Sequence, residues 1–226
     1  MLSSAAKLGC LLNNIQNKPY RTAPMIKALI FDFGKVLVDY DFAHIIDPLF
    51  DNEEDRQEFY TFFASLEFIN ELDREVTPFI DIIRRKQQEY PKYTEQLQVF
   101  FDKYVDFVTG EVPGMKLLLK ELKASGYELY GLTNWSSKVH QVMKNYDIFD
   151  LLDGQVISSE VHLLKPEPEI YEHLLEKFGL QAEECVFTDD KAINVEGAEK
   201  VGLHGIVFHD AAQYVHELKT IIEQSA

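Results

Sequence analysis

Three apolar runs in this 226-residue chain stop at residues able to do chemistry, and that recurrence limits the fold more than any other feature. Met25 to Phe31 runs into Asp32-Phe33-Gly34, Tyr127 to Thr133 into Asn134, and Cys185 to Thr188 into Asp189-Asp190. Runs this short and this apolar read as buried strands. Helical patterns separate them. Met115, Leu118, Leu119 and Leu122 share a face that Gly126 ends; Glu167 to Phe178 is stopped by Gly179, and Ala192 to Val201 by Gly202. Gly154 to Ser158 and Leu203 to Phe208 read as further strands. Ser136 or Ser137 is the expected cap of the helix after Asn134, and Asp210 that of a last helix carrying Tyr214, Leu218, Ile221 and Ile222. Strand–helix alternation predicts an α/β fold, a doubly wound parallel-sheet (Rossmann-like) core with helices on both faces. Ligands in such sheets bind beyond the carboxyl ends of the strands, where Asp32, Thr133-Asn134 and Asp189-Asp190 all fall.

The rhythm changes between Tyr40 and Glu111. Thr94 reads as a cap for a helix with Leu97, Phe100, Phe101, Tyr104, Val105 and Val108 on one face, and Thr77-Pro78 opens another. No strand is expected there. The chain therefore divides into a core of residues 25–39 and 112–226, an inserted all-helical cap of residues 40–111, and a flexible tail of residues 1–24. The tail contains no Asp or Glu, and its charges are Lys7, Lys18 and Arg21. Lys7 interrupts the apolar run that a secretory signal needs. A faint likeness to an organelle transit peptide gives way to the plainer reading of a loose tail before a fold that starts at Met25.

Charge narrows the partners. Lys plus Arg is 22 and Asp plus Glu is 38, a net charge of −16. Such a field repels phosphate backbones, so no nucleic-acid partner is expected, and an anionic metabolite needs a local device such as a metal ion. No apolar run approaches the roughly 20 residues of a bilayer span, so no membrane partner is expected. Cys10 and Cys185 are too few for a disulfide scaffold and imply a reducing, cytoplasmic setting. The seven histidines form no zinc pattern.

Singly, each strand-end residue has an ordinary explanation as a turn or helix-capping group. In order, they form a set: a nucleophile-type Asp, a hydroxyl, a Lys, then an acidic pair. The stretches Phe31 to Leu37, Gly131 to Ser136, Leu164 to Tyr171 and Phe187 to Ala198 resemble, in that order, the motifs of the haloacid dehalogenase-like hydrolase superfamily. Val38 to Phe42 and Leu72 to Thr77 are similar to its sugar-phosphatase branch, which includes alpha-D-glucose-1-phosphate phosphatases.

The resemblance implies a phosphatase in which Asp32 attacks phosphorus and forms an aspartyl-phosphate. It implies Mg²⁺ held by Asp32, the backbone carbonyl of Gly34, and the Asp189-Asp190 pair, with Asp190 the direct ligand and Asp189 direct or water-mediated. Thr133, the backbone N–H of Asn134 and Lys165 would hold phosphoryl oxygens, Lys165 also neutralising Asp32. The substrate would be a small phosphorylated metabolite. One departure matters: most phosphatases of this superfamily carry an acid/base Asp two residues after the nucleophile, and here Gly34 stands there. Sugar-1-phosphates, whose leaving oxygen is a weak base, are then the expected substrates. True haloacid dehalogenases share the gap and need no metal, and a catalytically weak binding module on the same fold stays open beside them. Adjacent acids near Asp32 are costly without a cation, which favours the phosphatase.

Other residues read more plainly. Arg74 either meets substrate or pairs with Asp73 or Glu71. Arg84, Arg85 and Lys86 read as solvated surface, Phe59, Phe62, Phe63 and Phe68 as cap core, and Trp135 as packing near the cleft. Cys185 reads as a buried small hydrophobe, and Gly131 and Gly197 as close-packing sites.

Overall fold

The computed structural model describes residues 25–224; the expectations for the tail, Cys10 included, lie outside the described residues. In chain order the strands are β1 (Ala28–Phe31), β2 (Val38–Tyr40), β3 (Val108–Glu111), β4 (Glu128–Thr133), β5 (Gly154–Ile157), β6 (Cys185–Asp189) and β7 (His204–Val207). Five of them form one parallel sheet ordered β5-β4-β1-β6-β7. The central strand β1 is buried along its whole length, which is why its letters run apolar without alternation. Its side chains still divide between two layers. Leu29 and Phe31 join the cluster of Leu118, Leu119, Leu122, Tyr214 and Leu218, whereas Ala28 and Ile30 join that of Ile170, Tyr171, Leu174 and Ala198. Helices therefore cover both faces, as the alternation predicts.

Strand register sets up the site. Phe31 stands opposite Gly131 on one side and Thr188 on the other. The next residue, Asp32, thus leaves the sheet level with Asp189 and one position before Thr133. Gly131 and Gly197 are close-packing sites, as expected. A Cβ on Gly131 would come within 2.4 Å of the Phe33 ring, and one on Gly197 within 2.9 Å of Pro166.

Between β2 and β3 the chain forms helices Ala43–Ile46, Glu53–Phe63, Leu66–Arg74, Phe79–Glu89 and Thr94–Asp102. Two have side-chain caps, Asn52 accepting from the Asp55 N–H and Ser65 from the Phe68 N–H, each worth about 1 kcal/mol. Phe59, Phe63 and Phe68 are buried among each other and Phe100, the cap core the aromatic spacing implies.

The expectation of no strand in residues 40–111 is corrected by β3. Val108–Glu111 pairs antiparallel with Val38–Tyr40, with a register shift between Asp39 and Tyr40. A four-residue strand containing Gly110 has no local signature; it exists because the two crossings of the chain lie side by side. Three helix starts also differ. Thr94 is the first helical residue, its hydroxyl bonding back to the Pro91 carbonyl, so it does not cap. Pro78 is itself the cap residue of Phe79–Glu89. Neither Ser136 nor Ser137 caps Val139–Met143, which begins after Lys138. Asp210 does cap: its Oδ1 accepts from the N–H groups of Ala212 and Gln213.

Candidate active site

Lys165 organises the carboxyl edge of the sheet. Its ammonium lies 2.8 Å from Asp32 Oδ1 and 2.6 Å from Asp189 Oδ2, and donates at 3.0 Å to the Leu132 carbonyl. All three protons are used, and its side chain is 1% exposed. Burial alone would pull this ammonium down; the Asp189 and Asp32 carboxylates overcome that and hold it well above its ordinary value.

The two acids sharing Lys165 differ in character. Asp189 also accepts from the Lys191 N–H at 2.8 Å and from Asn194 Nδ2 at 3.1 and 3.0 Å. Burial opposes its charge, but Lys165 and these donors outweigh burial, so Asp189 lies below its ordinary value. Asp32 has fewer donors. Burial, with the nearby Asp189 charge, exceeds the help from Lys165 and raises it to about 6. Asp190 is half-buried and raised, first by burial and then by Asp189.

One carboxylate oxygen from each of Asp32, Asp189 and Asp190 lies within 4.8 Å of the others. Three carboxylates against one buried ammonium leave an excess of negative charge in a space sized for one ion. An all-oxygen set of this kind fits a hard divalent cation. Asp189 already meets three donors, so Asp190 and Asp32 are the acids with oxygens to spare.

Thr133 ends β4 and is buried, one strand position beyond the level of Asp32. The Asn134 side chain bonds to the Lys165 backbone. Its amide donates to the Lys165 carbonyl at 2.9 Å and accepts from the Lys165 N–H at 2.8 Å, clamping the Lys165 loop to β4. Gly34 follows Asp32 in a tight loop whose strain falls on Lys35, at φ 62°. Gly34 has no left-handed angle; its need for glycine is steric. A Cβ there would meet Tyr40 Cε1 at 2.9 Å and Trp135 Cζ3 at 3.9 Å. Burial, then Asp190, Asp32 and Asp73, push the Tyr40 phenol up to about 12, so it is neutral and faces all three acids.

The cap reaches this edge through the end of the helix Leu66–Arg74 and the residue after it. Ser158 Oγ accepts from the Trp135 N–H at 2.9 Å and donates to the Asp73 carbonyl at 2.6 Å. Arg74 pairs with Glu167 and donates to the His162 carbonyl at 2.8 Å, so the pairing with Asp73 or Glu71 read from the sequence is corrected. Glu75, in the left-handed region at φ 44°, accepts from the Ser137 N–H and hydroxyl. Arg84 and Arg85 make exposed pairs with Asp81 and Glu71, as expected of a solvated face, but Lys86 is largely covered, its ammonium over the Phe68 and Tyr90 rings while it pairs with Glu89. Sequence reasoning missed Asn194, Ser158 and Glu167. Asn194 alone left a signal, as an amide in the first turn of the helix after the acidic pair.

The haloacid dehalogenase-like hydrolase family matches residues 26–202, and the chain belongs to that family. It is 36% identical over 109 residues to the sesquiterpene phosphatase astK of Aspergillus oryzae, covering 48% of this chain and 56% of that protein. It is 26% identical over 196 residues to the glyceraldehyde 3-phosphate phosphatase of Pyrococcus abyssi, covering 81% and 82%. The first of these matches thus spans about half the length of the relative. Among solved structures, a HAD family enzyme of Bacteroides thetaiotaomicron superposes with TM-score 0.69 at 22% identity, covering 86% of this chain and 98% of that one. The same enzyme in complex with magnesium and inorganic phosphate gives 0.67 at 23% identity, covering 82% and 96%. At these identities the likeness is one of fold, and it includes the parallel sheet and helical cap.

Proposed function

We propose that the chain is a Mg²⁺-dependent phosphatase that hydrolyses a small phosphorylated metabolite with Asp32 as nucleophile. The observation that carries this reading is Lys165, buried and bonded to both Asp32 and Asp189, with Asp190 beside them. Mg²⁺ held by Asp32, Asp190 and the Gly34 carbonyl would screen the repulsion between an attacking carboxylate and a phosphate dianion. Asp189 acts through Lys165 and through water. Lys165 holds the Asp32 carboxylate in place and keeps positive charge beside it. Thr133 and the backbone N–H of Asn134 receive phosphoryl oxygens. Asp32 then forms an ester with phosphorus, and water cleaves it to return the carboxylate.

The relatives support the reaction class, since two of them are named phosphatases. The dehalogenase reading gives Asp190 no task. Cys185 is a buried free thiol, in keeping with a cytoplasmic enzyme. Among the described residues no helix is long and apolar enough to cross a membrane. The test is turnover of a panel of phosphomonoesters with and without Mg²⁺, by the natural chain and by Asp32→Asn. The variant should fold and lose turnover. Undiminished activity in Asp32→Asn, or halide release from 2-haloacids without metal, would overturn the reading.

A further inference from the structure

We propose that Asp73, on the cap, donates the proton to the leaving oxygen in place of the carboxylate that position 34 lacks. The inference rests on the phosphatase reading above. Two features of the geometry point to it. First, the usual place for the donor is closed: the Tyr40 ring stands where a side chain on Gly34 would begin, 2.9 Å from its Cβ position, and Trp135 backs it. The donor must therefore come from another element. Second, the helix end carrying Asp73 is fixed to the core segments that carry the phosphate-binding groups. The Asp73 carbonyl is held by Ser158, which also holds Trp135, two residues past Thr133. The next residue, Arg74, holds Glu167 and His162 on either side of Lys165. Two residues on, Glu75 is held by Ser137. Three successive ties fix the Asp73 backbone against the core segments that border the cleft.

The charges that act on the Asp73 carboxyl are Lys191, Asp32, Lys165 and Glu75, and the Tyr40 and Tyr104 phenols lie within its field. Burial, opposed by Lys191 and Lys165 and reinforced by Asp32 and Glu75, raises Asp73 to about 7. It is therefore protonated in a substantial fraction of molecules near neutrality, the state a donor needs. The step balances as follows. As the Asp32 oxygen bonds phosphorus, the bond from phosphorus to the leaving oxygen breaks, and that oxygen takes the Asp73 proton and departs as an alcohol. Asp73, now a carboxylate, accepts a proton from the water that attacks the aspartyl-phosphate. Phosphate leaves, Asp32 is freed, and Asp73 is protonated again. With a donor in place, the ground for preferring sugar-1-phosphates over ordinary alkyl phosphates weakens.

The experiment is a plot of log kcat/KM against leaving-group pKa for aryl and alkyl phosphates, with Mg²⁺, for the natural chain and Asp73→Asn. The natural chain should give a shallow slope. Asp73→Asn should lose about 10²- to 10⁴-fold on alkyl phosphates and little on p-nitrophenyl phosphate, whose leaving group needs no proton. An equal loss across all esters, or none, overturns the inference and leaves the phosphatase reading standing. A steep slope in the natural chain overturns it without any variant. Absence of turnover on every ester overturns the phosphatase reading and this inference with it.

Discussion

Replacing Lys165 by Met keeps the length of the side chain and removes the charge on which two buried acids depend. Lys165 is 1% exposed, Asp189 0% and Asp32 12%, so solvent cannot take its place. Removing one partner of a buried ion pair costs about 3–5 kcal/mol, because the remaining charge is left uncompensated. For a chain of this size each kcal/mol moves the melting temperature by about 2–4 °C, so the variant should melt roughly 6–20 °C lower at pH 7. The sign of the pH dependence follows from the partners. Asp189 is held below its ordinary 3.8, so its pairing stabilises the fold above that pH and is lost as pH falls through its folded value. Lys165 is held above its ordinary 10.5, so its contribution is complete at any pH below that. The gap between natural chain and variant should therefore be full near neutrality and shrink in acid as Asp189 takes up a proton. Adding Asp189→Asn to Lys165→Met should recover part of the loss. Urea unfolding followed by circular dichroism, from pH 7 down to the acid limit of the fold, measures all three. A loss below about 1 kcal/mol at pH 7, or a gap that widens in acid, would refute the reasoning.

Three further outcomes follow from the packing and the acidic cluster. Gly131→Ala places a methyl within 2.4 Å of the fully buried Phe33 ring and should cost about 1–3 kcal/mol in a denaturant melt. Ser158→Ala leaves the Trp135 N–H and the Asp73 carbonyl without the hydroxyl that joins them, at about 1–3 kcal/mol; faster amide exchange at Trp135 reads it out. Mg²⁺ at about a hundred times its dissociation constant should stabilise the natural chain by about 2.7 kcal/mol in a thermal melt, reversibly with chelator, and Asp190→Asn should abolish the shift.

The sheet was legible because a central parallel strand has no solvent face. Leu29, Ile30 and Phe31 must all be apolar, and the run must end where the chain leaves the sheet. The convergence of Asp32, Lys165 and Asp189 was legible because each sits at a strand end or in the loop after one. What escaped depends on partners distant in sequence. Strand β3 needs β2, nearly seventy residues upstream. Arg74 finds Glu167 across 93 residues, so its neighbours Asp73 and Glu71 were the wrong places to look. Ser137 looked like a helix cap until Glu75 claimed its N–H and hydroxyl from across the cleft. Asn134 carried a motif position but spends its amide on the Lys165 backbone. A local pattern names the type of residue; the tertiary fold decides which group it answers to.

The Tyr40 ring above Gly34 also constrains how such a site can change over generations. An acid at position 34 is acquired by itself only if the Tyr40 ring shifts, because its Cβ would press on a ring already hemmed by Phe42, Trp135 and the Lys35 ammonium. Gly34→Asp would become tolerable once Tyr40 had moved aside or given way to something smaller. Tyr40 in turn can be lost harmlessly only if nothing depends on its phenol beside Asp32, Asp73 and Asp190. The two positions are thus bound in sign epistasis, in which the same substitution is harmful or useful according to what stands at the other site. A lineage that starts with glycine and tyrosine therefore faces a valley on the way to aspartate at position 34.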